Sequence, residues 1–229
     1  IDVMKSKSMT AKLSAISQFR PPFLSPIVAI EQGLTDPFCG MNMGQTAELL
    51  AREFSISREE QDTFANRSHE LASKALLEGK FKDEIVPIAI GAKLDRLLYD
   101  DVGPRANSSV EKLAKMRPYF DRKSGTVTVG NACPITDGGS ALLLVSEDIV
   151  KEFNLEPMAK VVDFHFHGLE PERMGMGPLV AMDGIFNRTN LTLADMDLIE
   201  INEAFAAQVI AVRRAAQDIN LARRFGVDK

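Results

Sequence analysis

Asn202 and Glu203 stand where one sequence pattern gives way to another. Upstream, Leu198, Ile199 and Ile201 form a short apolar run broken by Glu200, the pattern of the buried end of a parallel strand. Downstream of Ala204, the residues Phe205, Val209, Ile210 and Val212 fit a helical period, and Arg213 and Arg214 begin a polar face. Side chains at the carboxyl end of such a strand face a crevice in open α/β sheets, so an amide and a carboxylate there could hold a ligand's polar groups. An Asn at a helix start is also a good cap for free backbone amides, and that is the commoner use.

Other residues carry chemistry by type or setting. Cys133 follows Gly130-Asn131-Ala132 in a turn after a strand, where a thiol is either a nucleophile with a neighbouring base or a small packed residue. Cys39 lies in a loop before Gly40 with nothing nearby to activate it, and reads as structural. His165 and His167 alternate with Phe164 and Phe166, but no third ligand lies near enough in sequence for a metal site, so solvent-facing or hydrogen-bonded strand histidines are expected. His69, between Ser68 and Glu70, reads as a solvated helix residue. Arg105 belongs to a charged loop with Asp100 and Asp101; its planar guanidinium suits a phosphate or an adenine ring, and a solvated loop is the alternative. In Met174-Gly175-Met176-Gly177-Pro178 the glycines let backbone approach a ligand, although Gly-Pro is also ordinary punctuation at a helix start.

Composition bounds the classes. With 45% hydrophobic and 26% charged residues in 229, the chain can bury a sizeable core. A net charge of −5 argues against a nucleic-acid surface. No apolar run has the length of a transmembrane helix. Two cysteines make no disulfide framework and suggest a reducing compartment, the bacterial cytoplasm or the mitochondrial matrix.

The elements that must position these residues fall into two parts. In residues 1–124, helices are expected over 44–54 and 57–79, the second capped by Ser55 or Ser57 and ended by Gly79. An edge strand follows over 85–90 because Pro87 cannot donate to a ladder, then a loop over 100–109 and a short helix over 110–116. A basic amphipathic helix is expected before Pro21 and Pro22. From Gly125 the pattern alternates: strands over 126–129, 140–145, 158–167 and 198–202, helices over 147–154, 179–188 and from Ala204 to about Arg224, and a helical turn over 192–196. Alternation of this kind marks a layered α/β core.

Asn-Glu-Ala-Phe-Ala-Ala-Gln at 202–208, Met-Gly-Met-Gly-Pro at 174–178, and Gly-Asn-Ala-Cys at 130–133 followed by Thr-Asp-Gly at 136–138 resemble, in order and spacing, the motifs of the thiolase family. The resemblance runs from about Gly40 to about Gln208. It implies an α/β fold, part of a thiolase-like α/β/α layered core with a mostly helical loop domain. Residues 1–124 would be that loop domain covering the coenzyme A (CoA) site. Residues 125–229 would be a partial core, with the last strand of the family's amino-terminal half and the start of its carboxyl-terminal half. The implied activity is acyl-CoA acyltransfer: 3-oxoacyl-CoA is cleaved to acetyl-CoA and a shortened acyl-CoA, or the reverse condensation runs. Asn202 would hold a water that completes a pocket for the thioester oxygen as an enolate forms. Cys133 would be a wall of the CoA pocket, Met174 would line the pantetheine channel, and Arg105 would meet the phosphate or adenine. Met43 and Phe205 would line the acyl end. CoA and acyl-CoA are then substrates, no cofactor is covalently bound, and the full protein would be a homodimer or tetramer.

Residues 7–9, 13–20 and 23–26 resemble the long-chain thiolase subunit of the trifunctional β-oxidation complex, which implies a β-oxidation partner subunit. Other positions depart from the family. Its nucleophilic Cys motif, its Gly-His-Pro and its second catalytic Cys are not in this sequence, and Asn42 replaces the His that short-chain biosynthetic members carry before Met-Gly. The chain is therefore expected to be an incomplete, inactive portion of a thiolase. The alternatives are a non-catalytic thiolase-like carrier of CoA esters or lipids, or a docking subunit acting through residues 1–37.

Overall fold

Reciprocal capping boxes start the two helices on which the rest is built. Helix α1 (Ala29–Leu34) precedes them. Asn42 accepts from the Gln45 N–H at 3.0 Å while the Gln45 side chain accepts from the Asn42 N–H at 2.9 Å, which begins α2 (Met43–Glu53). Ser57 and Glu60 make the same exchange at the head of α3 (Arg58–Leu77). Gly79, at a φ of +68°, takes the left-handed turn that ends it. The computed structural model describes residues 8–10 and 29–228. The expected basic amphipathic helix and most of residues 1–37 lie outside the described residues.

After α3 the chain forms an antiparallel hairpin of β1 (Ile88–Ile90) and β2 (Arg96–Leu98), with Ile88 opposite Leu98. Pro87 stands just before the first strand, where its missing N–H costs nothing. Helices α4 (Val110–Ala114) and α5 (Glu147–Glu152) are short and capped by Ser109 and Ser146. A 3₁₀ segment, Pro171–Met176, runs into α6 (Gly177–Thr189), and Leu193–Asp195 is a second 3₁₀ turn. The long final helix expected from Ala204 is broken. Helix α7 (Ala206–Gln217) stops at Asp218, whose φ of −134° and ψ of 108° are extended, and α8 (Ile219–Ala222) restarts with the Asp218 side chain as cap.

The main core lies where α2, the 3₁₀ segment, α6, α7 and α8 meet, and holds Leu50, Phe54, Ile56, Met176, Leu179, Val180 and Val212. Small residues on α7, Ala211 and Ala215 among them, let its backbone lie close to its neighbours. A second cluster joins Ala65, Leu113 and Ala206, tying α3 and α4 to the head of α7.

The strands expected from Gly125 onward do not form ladders. The only sheet among the described residues is the hairpin. At 126–129 the cause is visible: Thr126 and Val127 donate their N–H groups to the carboxylate of Glu48, at 2.9 to 3.0 Å, and not to a neighbouring strand. Residues 140–145, 158–167 and 198–202 run without regular secondary structure. Leu142 and Leu143, expected inside a sheet, are 87% and 84% exposed. Apolar, β-branched sequence encodes a preference for burial, but a ladder also needs a neighbour with free N–H and C=O groups. Within 158–167 His167 is exposed as expected, and His165 is not. His165 is half-buried with its ring against Gly184 of α6, while Phe164 and Phe166 are exposed.

Candidate functional site

Two of the sequence motifs are bonded to each other. The N–H of Cys133 donates to the Ala204 carbonyl at 2.8 Å, and the N–H of Ala206 donates to the Asn131 carbonyl at 3.0 Å. Ala132 and Phe205 thus form an isolated antiparallel bridge, and the 130–133 turn lies along the 202–206 turn.

A buried polar network sets the first of these turns. Asn131 donates from Nδ2 to Asp62 Oδ1 at 2.9 Å, and its Oδ1 accepts from the Thr128 N–H at 2.8 Å. Arg58 pairs with Asp62 at 2.7 Å and also donates to the carbonyls of Leu113 and Met116. Glu48, 2% exposed, takes the amides of Thr126 and Val127. Buried charges of this kind survive only with such partners.

Packing holds Phe205 of the second turn and the 174–178 stretch in place. Met43 opens α2, and next to it Gly44 leaves the space its side chain would fill to the ring of Phe120. Phe120 in turn meets Phe205 edge to face, with centroids 5.9 Å apart. On another side Arg173 forks onto Glu53 of α2, which fixes the start of the 174–178 stretch. Gly175 lies against Leu50 and Gln208; a Cβ there would be 2.8 Å from Leu50 and 2.9 Å from Gln208. Gln208 donates to the Gly175 carbonyl at 3.3 Å. Met174 is partly exposed, whereas Met176 is fully buried in the core.

Helix α3 holds the remaining two pieces from adjacent residues. Ser68 Oγ donates to Glu203 Oε2 at 2.5 Å, and His69 Nδ1 accepts from the backbone N–H of Arg105 at 3.3 Å. Burial pushes the Glu203 carboxyl above its ordinary range, against the opposing pull of the Ser68 bond and the Arg67 charge. Burial, then the positive charge of Arg105, hold the His69 imidazole below its ordinary range. His69 is therefore a hydrogen-bond acceptor and not the solvated residue expected.

Asn202 does not cap the helix. Helix α7 begins at Ala206 with Phe205 at the cap position, and Asn202 is exposed with no hydrogen bond among the described residues. Its amide is spare, and Glu203 lies outside the first helical turn. Cys133 is exposed, and its thiol contacts the Pro134 carbonyl. No group of three or more His, Cys, Asp or Glu could hold a metal ion among the described residues. No helix among them is long and apolar enough to cross a membrane.

The structure thus joins Cys133 to the turn that carries Asn202 and Phe205, packs Phe205 on Phe120, and attaches Arg105 to α3; among the described residues it shows no contact of Met43 or Met174 with that turn. A cavity of about 580 Å³ between α6, α7 and α8 is lined by Leu179, Phe186, Leu193, Ala215 and Ile219. It includes none of the predicted site residues; Asp183, Asn187, Asn190, Thr192 and Gln217 are its polar lining. Ser68, Glu48 and Asp62 escaped the sequence reading as site residues, and Asn131 was read only as part of the 130–133 motif. Polar residues at positions that pack inward on α2 and α3 were the one signal, visible only once the buried faces are known.

Comparison with known proteins gives the same direction. Residues 17–148 match the family model described as thiolase, N-terminal domain, and residues 155–223 match thiolase, C-terminal domain. A probable acetyl-CoA acyltransferase of Staphylococcus aureus (strain COL) is 47% identical over 187 residues, 81% of this chain and 47% of the relative. The crystal structure of the Bacillus anthracis acetyl-CoA acetyltransferase aligns with a TM-score of 0.82 at 40% identity, over 88% of this chain and 52% of that one. Human mitochondrial 3-ketoacyl-CoA thiolase in complex with CoA aligns at 0.78 and 38% identity, over 88% and 50%. The chain spans about half the length of the curated relatives it matches. Its trace follows an α/β thiolase-like fold although its own ladders are few.

Proposed function

Because the chain belongs to the thiolase family, we propose that it supplies the CoA-binding and thioester-positioning part of an acyl-CoA acyltransferase. The observation that supports this is the pair of backbone bonds joining the 130–133 turn, with Cys133, to the 202–206 turn, with Asn202 and Phe205. The parent reaction is cleavage of 3-oxoacyl-CoA to acetyl-CoA and a shortened acyl-CoA, or its reverse.

In this reading Arg105 meets the phosphate or adenine of CoA, and Met174 borders the pantetheine arm beside the 174–178 glycines. Cys133 is a pocket wall, and Met43 and Phe205 line the acyl end. Asn202 works by holding a donor toward the thioester oxygen. A preorganised donor there gains strength as negative charge develops and needs no reorganisation during the reaction. Residues 1–124 cover this site. CoA is a substrate and is not covalently held. The family's acyl-carrying Cys and its Gly-His-Pro are not among these 229 residues, so the chain by itself binds CoA without turnover. The same absence supports a second reading, a non-catalytic carrier of CoA esters. A homodimer or tetramer, with a bacterial cytoplasmic or mitochondrial matrix location, fits the family and the relatives' sources.

Calorimetric titration of this chain with CoA tests the proposal. Saturable binding, weakened about tenfold or more by Arg105→Ala, is the expected result, since hydrogen bonds to charged groups carry that order of energy. No heat of binding with CoA would remove it. Thiolytic turnover by the chain alone would remove the claim of inactivity.

A further inference from the structure

Helix α3 reaches both ends of the candidate site through consecutive residues. Ser68 Oγ has one proton. It lies 2.5 Å from Glu203 Oε2 and 3.3 Å from the Phe64 carbonyl within its own helix, so the carboxylate takes the stronger bond. Glu203 is the neighbour of Asn202 in the chain, and fixing its side chain limits the rotation open to the Asn202 backbone. One residue on, His69 Nδ1 accepts the N–H of Arg105, whose carbonyl accepts the N–H of Ser108 at 3.0 Å. Positions 68 and 69 are a hundred degrees apart around a helix, so the two bonds leave α3 in different directions. Helix α3 is itself anchored by the Arg58–Asp62 pair and by Ala65 in the second core cluster. It is therefore a rigid bar between the Arg105 loop and the 202–206 turn.

Resting on the reading of Arg105 and Asn202 as opposite ends of a CoA site, we propose that Ser68 and His69 are positioning residues that hold the nucleotide end and the thioester end at a set separation. Each acts through another residue. Ser68 orients Asn202 by way of Glu203, and His69 orients Arg105 by way of its backbone.

Hydrogen exchange on the ligand-free chain tests the hold directly. The reporter amides for Ser68 are those of Cys133 and Ala206, whose acceptors belong to the two joined turns. The reporters for His69 are the amides of Arg105 and Ser108. Ser68→Ala is expected to speed exchange at the first pair alone by about fivefold, and His69→Ala at the second pair alone, the loss of one ordinary hydrogen bond each. Ser68→Thr and His69→Gln keep the donor and the acceptor and are expected to restore protection. Titrations then read the ligand: His69→Ala weakens CoA and leaves pantetheine unchanged, and Ser68→Ala lowers the preference for acetyl-CoA over CoA. Unchanged exchange in both alanine variants, or both variants loosening both pairs as a frayed helix would, overturns the proposal. Should the exchange pattern hold while the unmodified chain fails to bind CoA, the hold stands and the CoA reading falls.

Discussion

Asn131 and Asp62 meet inside the protein, Nδ2 to Oδ1 at 2.9 Å, and each is at most 2% exposed. Through that bond α3 fixes the turn that carries Cys133. Replacing Asp62 by Ala would leave Arg58 and the Asn131 amide without their partner, and loss of one member of a buried ion pair costs about 3–5 kcal/mol. Urea unfolding of Asp62→Ala is expected to show a loss of that order. A shift within the error of the midpoint would show the network to be dispensable.

Glu48 replaces a neighbouring strand as acceptor for the amides of Thr126 and Val127. Its removal strands two backbone donors, each costing about 1–3 kcal/mol when buried. Glu48→Ala is expected to be clearly less stable than Glu48→Gln, which keeps one carbonyl acceptor. Equal midpoints for the two variants in thermal unfolding would contradict this assignment.

Gly44 and Phe120 share one space. Gly44→Ala forces the Phe120 ring away, an overpacking cost of about 1–3 kcal/mol. Because Phe120 buttresses Phe205, the substitution is also expected to weaken binding of acyl-CoA esters more than that of CoA. Calorimetry with both ligands checks it, and equal losses would show that Phe120 does not shape the acyl end.

Glu203 and His69 give opposite pH dependences. The Glu203 pKa is raised by burial, so the folded chain holds the extra proton. Its contribution to stability is whole below the unfolded value of about 4.3 and is lost as pH rises through the folded value. The His69 pKa is lowered, first by burial and then by Arg105. Its contribution is whole above about pH 6.5 and is lost as pH falls through the folded value. Unfolding midpoints measured across the acidic range are expected to lose the first slope in Glu203→Gln and the second in His69→Gln. Unchanged profiles would show that other groups carry both slopes.

Much of this molecule is local, and local features were legible in the sequence. Ser57 and Gly79 mark the ends of α3 by short-range hydrogen bonding and by a left-handed turn, so their positions follow from a few neighbouring residues. The motifs at 130–133, 174–178 and 202–208 likewise named the family before any coordinate did. Tertiary structure decided what those residues touch. The cap role for Asn202 failed because α7 starts four residues later, and the 126–129 strand failed because Glu48, 78 residues away from Thr126, took its amides. The hydrogen bonds of Ser68 to Glu203 and of Arg105 to His69 span 135 and 36 positions. A hydroxyl or an imidazole is written into the chain at its own position, but its partner is set by how the helices pack, and no local pattern carries that information.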